Sequence, residues 1–111
     1  MLTREDILSR AKPRTRSVEV PELGGTVTLR AITANERDQL ETFIQKQRGN
    51  LKGVRSRMLR LCCCKDDGSP LFQEGDEAAI GELDGSILEP LVAHCMELCG
   101  VKSQEVDGGK A

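Results

Sequence analysis

The stretch VEVPELGGTVTLRAITANERD, residues 18–38, determines most of the expected fold. Apolar and polar residues alternate on either side of Pro21 and a glycine pair, a pattern typical of two strands joined by a tight turn. The pattern predicts a β-hairpin in which residues 18–20 pair with residues 26–30. Because a two-stranded ribbon cannot cover its own apolar face, helices must pack on it. The side chains expected on that face are Val18, Val20, Val27 and Leu29.

Helix-capping signals place one helix before this hairpin and another directly after it. Thr3, followed by acidic residues, can cap a short helix that ends before Pro13. Thr33 and Glu36 have the spacing of a capping box, and the helix that they open should end at Gly49-Asn50. The residues between the first helix and the hairpin, 14–16, read as a solvated connector.

Three further helices are expected in the remainder of the chain. The first runs from about Leu51 to Cys64 and ends at the turn KDDGSP, residues 65–70. A short helix capped by Asp76 should then reach residue 83. Ser86 and Glu89 have capping-box spacing before a last helix, which would hold Pro90 in its first turn and end near residue 99.

These elements predict an α+β fold, mainly helical, with one N-terminal antiparallel β-hairpin and four to five short helices. A chain of 111 residues is long enough for one modest core. We expect a single domain over residues 1–101 and a flexible polar tail over residues 102–111. The residues expected to be largely buried are Val20, Val27, Leu29, Leu40, Phe43, Ile44, Leu61, Leu88, Leu91 and Cys95.

Charge is divided unevenly along the chain. Residues 1–65 hold 14 of the 16 basic residues and 7 of the 18 acidic residues, a balance of +7. Residues 66–111 have a balance of −9, and the whole chain has −2. Two interpretations are open. The molecule could present a basic face and an acidic face to partners or to other copies of itself, or the fold could interleave the halves and cancel much of the field.

The basic segment 46–65 is the candidate binding region. It has seven basic residues, and no acid occurs between Glu41 and Asp66. Its apolar stripe favours packing on a partner helix, whereas nucleic-acid binding is less expected, because aromatic residues for base stacking are missing. An ordinary solvated face is the third possibility. The residues predicted to bind a partner protein are Lys52, Arg55, Arg57 and Arg60.

Residues for catalysis or for metal binding are scarce. His94 is the one histidine, and a helical neighbour such as Cys95 diverges from it by about 100°. The five cysteines lack zinc-finger spacing and a disulfide pattern, so we expect free thiols that pack as small apolar side chains. The sequence therefore predicts a protein that is not an enzyme and has no cofactor and no metal.

Localisation is expected to be cytoplasmic. The opening residues, MLTRED, lack the profile of a signal peptide, and no apolar run approaches the roughly 20 residues of a membrane span. The cysteine pattern agrees with a reducing compartment.

Four segments resemble the tail assembly chaperone family of long-tailed bacteriophages and prophages. They are MLTREDIL at residues 1–8, the stretch 18–38, LCCCKDDGSPLF at residues 61–72, and the closing helix with its Gly100 stop. The resemblance covers residues 1 to about 100, and the central block is its distinctive part. The basic run 46–60, with its two glycines, is more broken than is expected in this family.

The resemblance implies a chaperone that binds the tape-measure protein and recruits tail-tube subunits. Such a protein would act in the host cytoplasm, could form homo-oligomers and would be absent from the mature virion. Gly108-Gly109-Lys110 is compatible with a frameshift site that makes a longer form. The competing classes are a small nucleic-acid-binding regulator that uses segment 46–65 and a cysteine-based zinc module.

Overall fold

The structure is a computed structural model, and it describes residues 1–48, 50 and 52–100. Two turns of 3₁₀-helix, at Pro21–Leu23 and Glu74–Asp76, join the regular elements. The predicted α+β, mainly helical class is confirmed. In chain order the elements are α1 Arg4–Arg10, β1 Thr15–Val20, β2 Gly25–Arg30, α2 Ala34–Lys46, α3 Val54–Cys62, β3 Cys63–Cys64, α4 Glu77–Gly81 and α5 Gly85–Cys99.

The predicted hairpin is present and is longer than expected. Strands β1 and β2 are antiparallel, with Val18 opposite Val27. Gly24 has φ 73°, a left-handed conformation that glycine adopts without strain, and it ends the turn. The pairing extends to Thr15 opposite Arg30, so Thr15 and residue 16, expected in a connector, belong to a strand.

A third strand replaces the end of the helix that was predicted to reach Cys64. Helix α3 ends at Cys62, and Cys63 turns to extended backbone with φ −70° and ψ 127°. Cys63 and Cys64 then pair with Leu29 and Thr28 of β2, which makes a three-stranded sheet in the order β1-β2-β3. The prediction failed here because cysteine has only a weak helix preference, and the free edge of β2 offered hydrogen bonds to the chain.

The expected turn follows β3 directly. Its glycine, Gly68, has φ 88° and donates its N–H to the Lys65 carbonyl at 2.8 Å. Lys65 in turn donates its N–H to the Ser69 carbonyl at 2.8 Å, and Cys64 forms an isolated antiparallel β-bridge with Pro70. The chain therefore reverses beside the sheet and brings residues 71–72 back towards the core.

The predicted N-caps of the first two helices, Thr3 of α1 and Thr33 of α2, are confirmed. Thr3 forms a capping box with Asp6 at the start of α1. At the start of α2, the Thr33 hydroxyl accepts from the Glu36 N–H at 3.2 Å, and the Glu36 carboxylate accepts from the Thr33 N–H at 2.9 Å. Gly49 and Leu51, at the expected boundary of α2 and the next helix, lie outside the described residues, as does the predicted tail at residues 102–111.

Of the two N-caps predicted in the second half of the chain, Asp76 is the N-cap residue of α4 but its side chain makes no cap hydrogen bond, and Ser86 is not the N-cap residue of α5. The Asp76 carboxylate accepts from the Gln73 N–H at 2.8 Å, which closes the 3₁₀ turn, and it makes no cap bond to α4. Helix α5 is capped by Asp84, whose carboxylate accepts from both the N–H and the hydroxyl of Ser86 at 2.9 and 2.7 Å. A carboxylate is a stronger acceptor than a hydroxyl, and so Ser86 becomes the donor.

The core lies between the sheet and helices α3 and α5, with α2 and α4 at its sides. Most of the residues predicted to be buried are buried, namely Val20, Leu29, Leu40, Leu61, Leu91 and Cys95. Four are only partly buried and pack against the edge of the core: Val27, Phe43, Ile44 and Leu88. Edge positions are difficult to predict because their burial depends on which element covers them.

Candidate protein-binding surfaces

The predicted binding residues lie on α3 and just before it. Lys52 precedes the helix, and the three arginines are spaced along it. The Arg57 Nε atom lies 3.5 Å from the Glu77 carboxylate at the start of α4, and Arg60 pairs with the same carboxylate. Arg55 lies 3.5 Å from Glu89 of α5. The arginines of α3 are therefore paired with acidic residues of the second half of the chain.

Arg57 and Arg60 are also the less exposed members of the set. Their side chains are 30% and 16% exposed, against 55% for Arg55. The guanidinium carbon of Arg57 lies 4.1 Å from the centre of the Phe43 ring, a cation–π contact with α2. Its Nε atom is buried and makes no hydrogen bond within the part of the chain that the structure describes. Arg57 of α3 thus packs against both α2 and α4.

These ion pairs favour the interpretation in which the fold interleaves the basic and the acidic half of the chain and cancels much of their field. A fourth contact of the same kind joins Arg16 of β1 to Glu97 of α5 at 2.7 Å. The protein-binding role of Lys52, Arg55, Arg57 and Arg60 stays a prediction. Within that set, Lys52 and Arg55 are exposed, and they line an open cleft of about 560 Å³ whose other wall includes Glu77 and Glu82.

Nucleic-acid binding through segment 46–65 also stays a prediction. Three of its seven basic residues already face carboxylates, which would repel a phosphate backbone. No structural feature of the described residues singles out a nucleic-acid groove. The pairs therefore weigh against this alternative.

Four of the five cysteines are buried, at the junction of α3, the sheet and α5, and Cys99 is partly buried. Cys62 and Cys95 are fully buried, and all five thiols are free. Hydrogen bonding with Cys95 raises the pKa of Cys62, and burial raises the pKa of Cys63 to about 11. Hydrogen bonding with Cys62 raises the pKa of Cys99 as well. Thiols are metal ligands and nucleophiles as thiolates, so the raised pKa values disfavour both roles at neutral pH.

His94 is held at the edge of α5 by an arginine. The Arg16 guanidinium donates to His94 Nδ1 at 2.9 Å and to the Glu97 carboxylate at 2.7 Å. Because an arginine side chain can only donate, Nδ1 is the acceptor in this hydrogen bond. Hydrogen bonding from Arg16 also lowers the pKa of Glu97. The contact joins β1 to α5 and resembles a structural tie more than an acid–base pair.

Neither a metal-binding cluster nor a membrane-spanning helix occurs among the described residues. Within residues 1–48, 50 and 52–100, no cluster of three or more His, Cys, Asp or Glu side chains is arranged to hold a metal ion. No helix in that part of the chain is long and apolar enough to cross a membrane.

An apolar groove was not anticipated from the sequence. It has a volume of about 320 Å³ and lies between the hairpin tip, the return after β3, α4 and the first half of α5. Buried and half-buried residues form its floor, including Val20, Leu88 and Leu91. Three exposed leucines stand around it: Leu23 at 67%, Leu71 at 44% and Leu83 at 55%. The sequence signal that could have indicated the groove was a leucine in each of two turns, at residues 23 and 83.

Helix α1 is a second uncovered apolar surface. None of its residues is buried. Leu2, just before the helix, and Ile7 and Leu8 within it are 63%, 52% and 55% exposed. Arg14, after the helix, donates to the Leu98 carbonyl at 3.2 Å and ties this end of the chain to the C-terminal end of α5.

Comparison with known proteins shows a likeness of fold to a solved structure. No protein-family model matches the chain, and no curated protein matches its sequence. The chain is similar in structure to the tail assembly chaperone of bacteriophage HK97, with a TM-score of 0.65 and 23% sequence identity. The match covers 86% of this chain and 92% of the chaperone. At this identity the likeness establishes the shared fold.

Proposed function

We propose that this chain is a tail assembly chaperone of a long-tailed bacteriophage or prophage. The observation that carries the proposal is the fold likeness to the HK97 tail assembly chaperone, which extends over 86% of this chain and 92% of the other. The resemblance of residues 18–38 and 61–72 to the same family also supports the proposal.

The proposed activity is binding, not catalysis. The chaperone would hold the tape-measure protein in a soluble form and bring tail-tube subunits to it. It would act in the host cytoplasm, need no cofactor and be absent from the finished virion. Two features of the surface support a binding role: the uncovered apolar groove and the uncovered α1. The raised pKa values of Cys62, Cys63 and Cys99 disfavour a thiolate nucleophile at neutral pH.

Co-expression tests this function. The chain and the tape-measure protein from the same phage genome are produced together, and the soluble fraction of the tape-measure protein is measured against its production alone. We expect a several-fold increase in soluble tape-measure protein and its recovery with the tagged chain. The control is Met58→Asp, which places a charge in the fully buried core and should abolish the effect.

A second readout uses the phage itself. Loss of the gene should leave filled heads without tails in electron micrographs, and the gene supplied in trans should restore the tails. Normal tails without the gene, together with equal tape-measure solubility with and without the chain, would overturn the proposal.

A further inference from the structure

We propose that the apolar groove binds a cationic amphipathic helix of another protein. The helix inserts aliphatic side chains between the rim leucines, Leu23, Leu71 and Leu83, and places lysine or arginine side chains beside the carboxylates around them. The inference rests on the proposed function, because the tape-measure protein is the partner that would supply the helix. It adds to that function the surface of this chain and the chemistry of the segment that this surface recognises.

The groove has an apolar floor below its apolar rim. Its lining includes Leu59, Ile80 and Leu91, which are buried core residues, and its volume of about 320 Å³ admits aliphatic side chains. The rim leucines come from three separate segments and are exposed. An exposed patch of this kind marks an interaction site. An occupant that covers the rim leucines would also seal this edge of the core.

The lining favours a helix over an extended segment as the occupant. Apart from the Cys63 thiol, Thr26 has the one polar side chain among the lining residues. An extended segment would bring unpaired N–H and C=O groups against this apolar surface, which costs free energy. A helix bonds those groups internally and presents aliphatic anchors at positions i, i+3 or i+4, and i+7 on one face.

The charges around the groove favour a basic partner. Residues 17–29 and 66–91, which supply most of the lining, contain ten acidic residues and no Lys or Arg. Three of these acids, Glu22, Glu74 and Glu82, are exposed and lie within two residues of a lining residue. None of the three forms an ion pair within residues 1–48, 50 and 52–100. Lysine or arginine beside the anchors of a partner helix would therefore be attracted, and acids would be repelled.

Other glutamates of the same acidic half already have basic partners. Glu77 is paired with Arg57 and Arg60, and Glu89 is paired with Arg55. The fold thus supplies arginines of α3 to two carboxylates of α4 and α5. It leaves the three carboxylates near the groove without a counter-charge from the described residues. A basic partner would supply that missing charge.

Peptides of the tape-measure protein test the apolar contact. Overlapping segments from the same phage genome are labelled and titrated with the chain, and binding should concentrate in those with the aliphatic spacing above and adjacent lysine or arginine. Circular dichroism should show that a bound peptide gains helix. Leu23→Asp and Leu83→Asp should each weaken binding about 10- to 100-fold, although both add a negative charge. The control Ala79→Asp adds the same charge to α4 at an exposed residue outside the lining and should bind like the wild type.

Charge reversal tests the electrostatic contact. Glu22→Lys with Glu82→Lys should weaken binding of the basic peptide at low salt, and the difference should shrink towards about 0.5 M salt, where the Debye length is about 4 Å. A peptide whose basic residues are replaced by glutamate should bind the reversed variant better than it binds the wild type. Such a rescue requires that the two sets of charges face each other in the complex.

The outcomes separate this inference from the chaperone assignment. Both leucines are more than half exposed, so the melting temperatures of the leucine variants should match that of the wild type. If these variants keep tape-measure protein soluble and bind its peptides as well as the wild type does, the inference fails and the chaperone role stands. The same holds if they alter only the sedimentation of the purified chain, since the groove would then be a contact between copies. A bound peptide without helix also overturns the inference. If the wild type neither solubilises the tape-measure protein nor binds any of its segments, the proposed function fails as well.

Discussion

Helices α1 and α3 are both rich in arginine, yet the molecule uses them in opposite ways. Helix α3 buries five residues and pairs its arginines with carboxylates of α4 and α5. Helix α1 buries none, and its two arginines pair with acids of the same helix, Glu5 and Asp6. A basic helix whose acids lie elsewhere in the chain is thus part of the core assembly. Helix α1, whose two arginines are balanced by two acids of its own, lies at the surface.

The largest expected difference between the two helices concerns their apolar residues. Met58 of α3 is fully buried, and Met58→Ala should lower the free energy of unfolding by about 2–5 kcal/mol, because the cavity adds to the lost transfer energy. Ile7→Ala in α1 should change it by less than about 0.5 kcal/mol. Urea denaturation of both variants, at a concentration where the wild type is monomeric, measures the difference. Equal losses would contradict the division between the helices.

The ion pairs of α3 should differ in how much they stabilise the fold, and the less exposed pairs should contribute more. Glu77→Gln removes the partner of Arg57 and Arg60, which are mostly covered, and should cost about 1–3 kcal/mol. Glu89→Gln removes the partner of Arg55 in a pair that is more than half exposed, and should cost about 0–1 kcal/mol. Chemical denaturation at low and high salt provides the comparison. If Glu89→Gln proves the more damaging change, the ranking by burial is wrong.

A third covered pair, between Arg30 and Glu36, should respond to pH. Burial alone would raise the pKa of Glu36, but the hydrogen bonds from Arg30, at 2.9 and 2.8 Å, and from Thr33 outweigh it and lower the pKa below 4.5. A lowered folded-state pKa stabilises the fold above the unfolded pKa, and that stability is lost as the pH falls through the folded value.

The stability advantage of the wild type over Glu36→Gln should therefore be present at neutral pH and shrink below pH 4.5. Thermal unfolding of both proteins between pH 7 and about pH 3 follows it. In α1, Asp6→Asn removes a comparable capping carboxylate from an uncovered helix, and it should leave the melting temperature nearly unchanged over the same range. A constant difference for Glu36→Gln at every pH would argue against a charged carboxylate at this position.

The smallest expected effect concerns the exposed remainder of the predicted binding set. If the proposed binding of the tape-measure protein uses these residues, Lys52→Glu with Arg55→Glu should weaken it modestly at low salt and leave the helical content unchanged. The effect should fade towards about 0.5 M salt, where the Debye length is about 4 Å. Binding measured by fluorescence anisotropy across salt concentrations tests this. Identical binding curves for the two proteins would leave these residues as an ordinary solvated face.

Local sequence signals determined the hairpin, the caps of α1 and α2, and the turn after residue 65. Each depends on groups within a few residues of one another, such as Thr33 with Glu36 or the glycine in a turn, so adjacent residue types contain the information. The same locality explains the errors. Asp84 and Ser86 are both candidates to cap α5, and the sequence does not show which of the two acceptors is better placed. In the same way, it does not show that the Asp76 carboxylate bonds to Gln73 and not to α4.

Tertiary structure alone decided which charges are free and which apolar residues are covered. Glu77 lies 17 residues from Arg60 and yet pairs with it, because α3 and α4 pack side by side. Strand β3 formed because β2 had a free edge within reach. The groove exists because the hairpin tip, the return after β3, α4 and α5 meet, and no other element of the described residues covers them. Each outcome depends on distances between elements that are remote in sequence, and residue patterns report only the periodicity within an element.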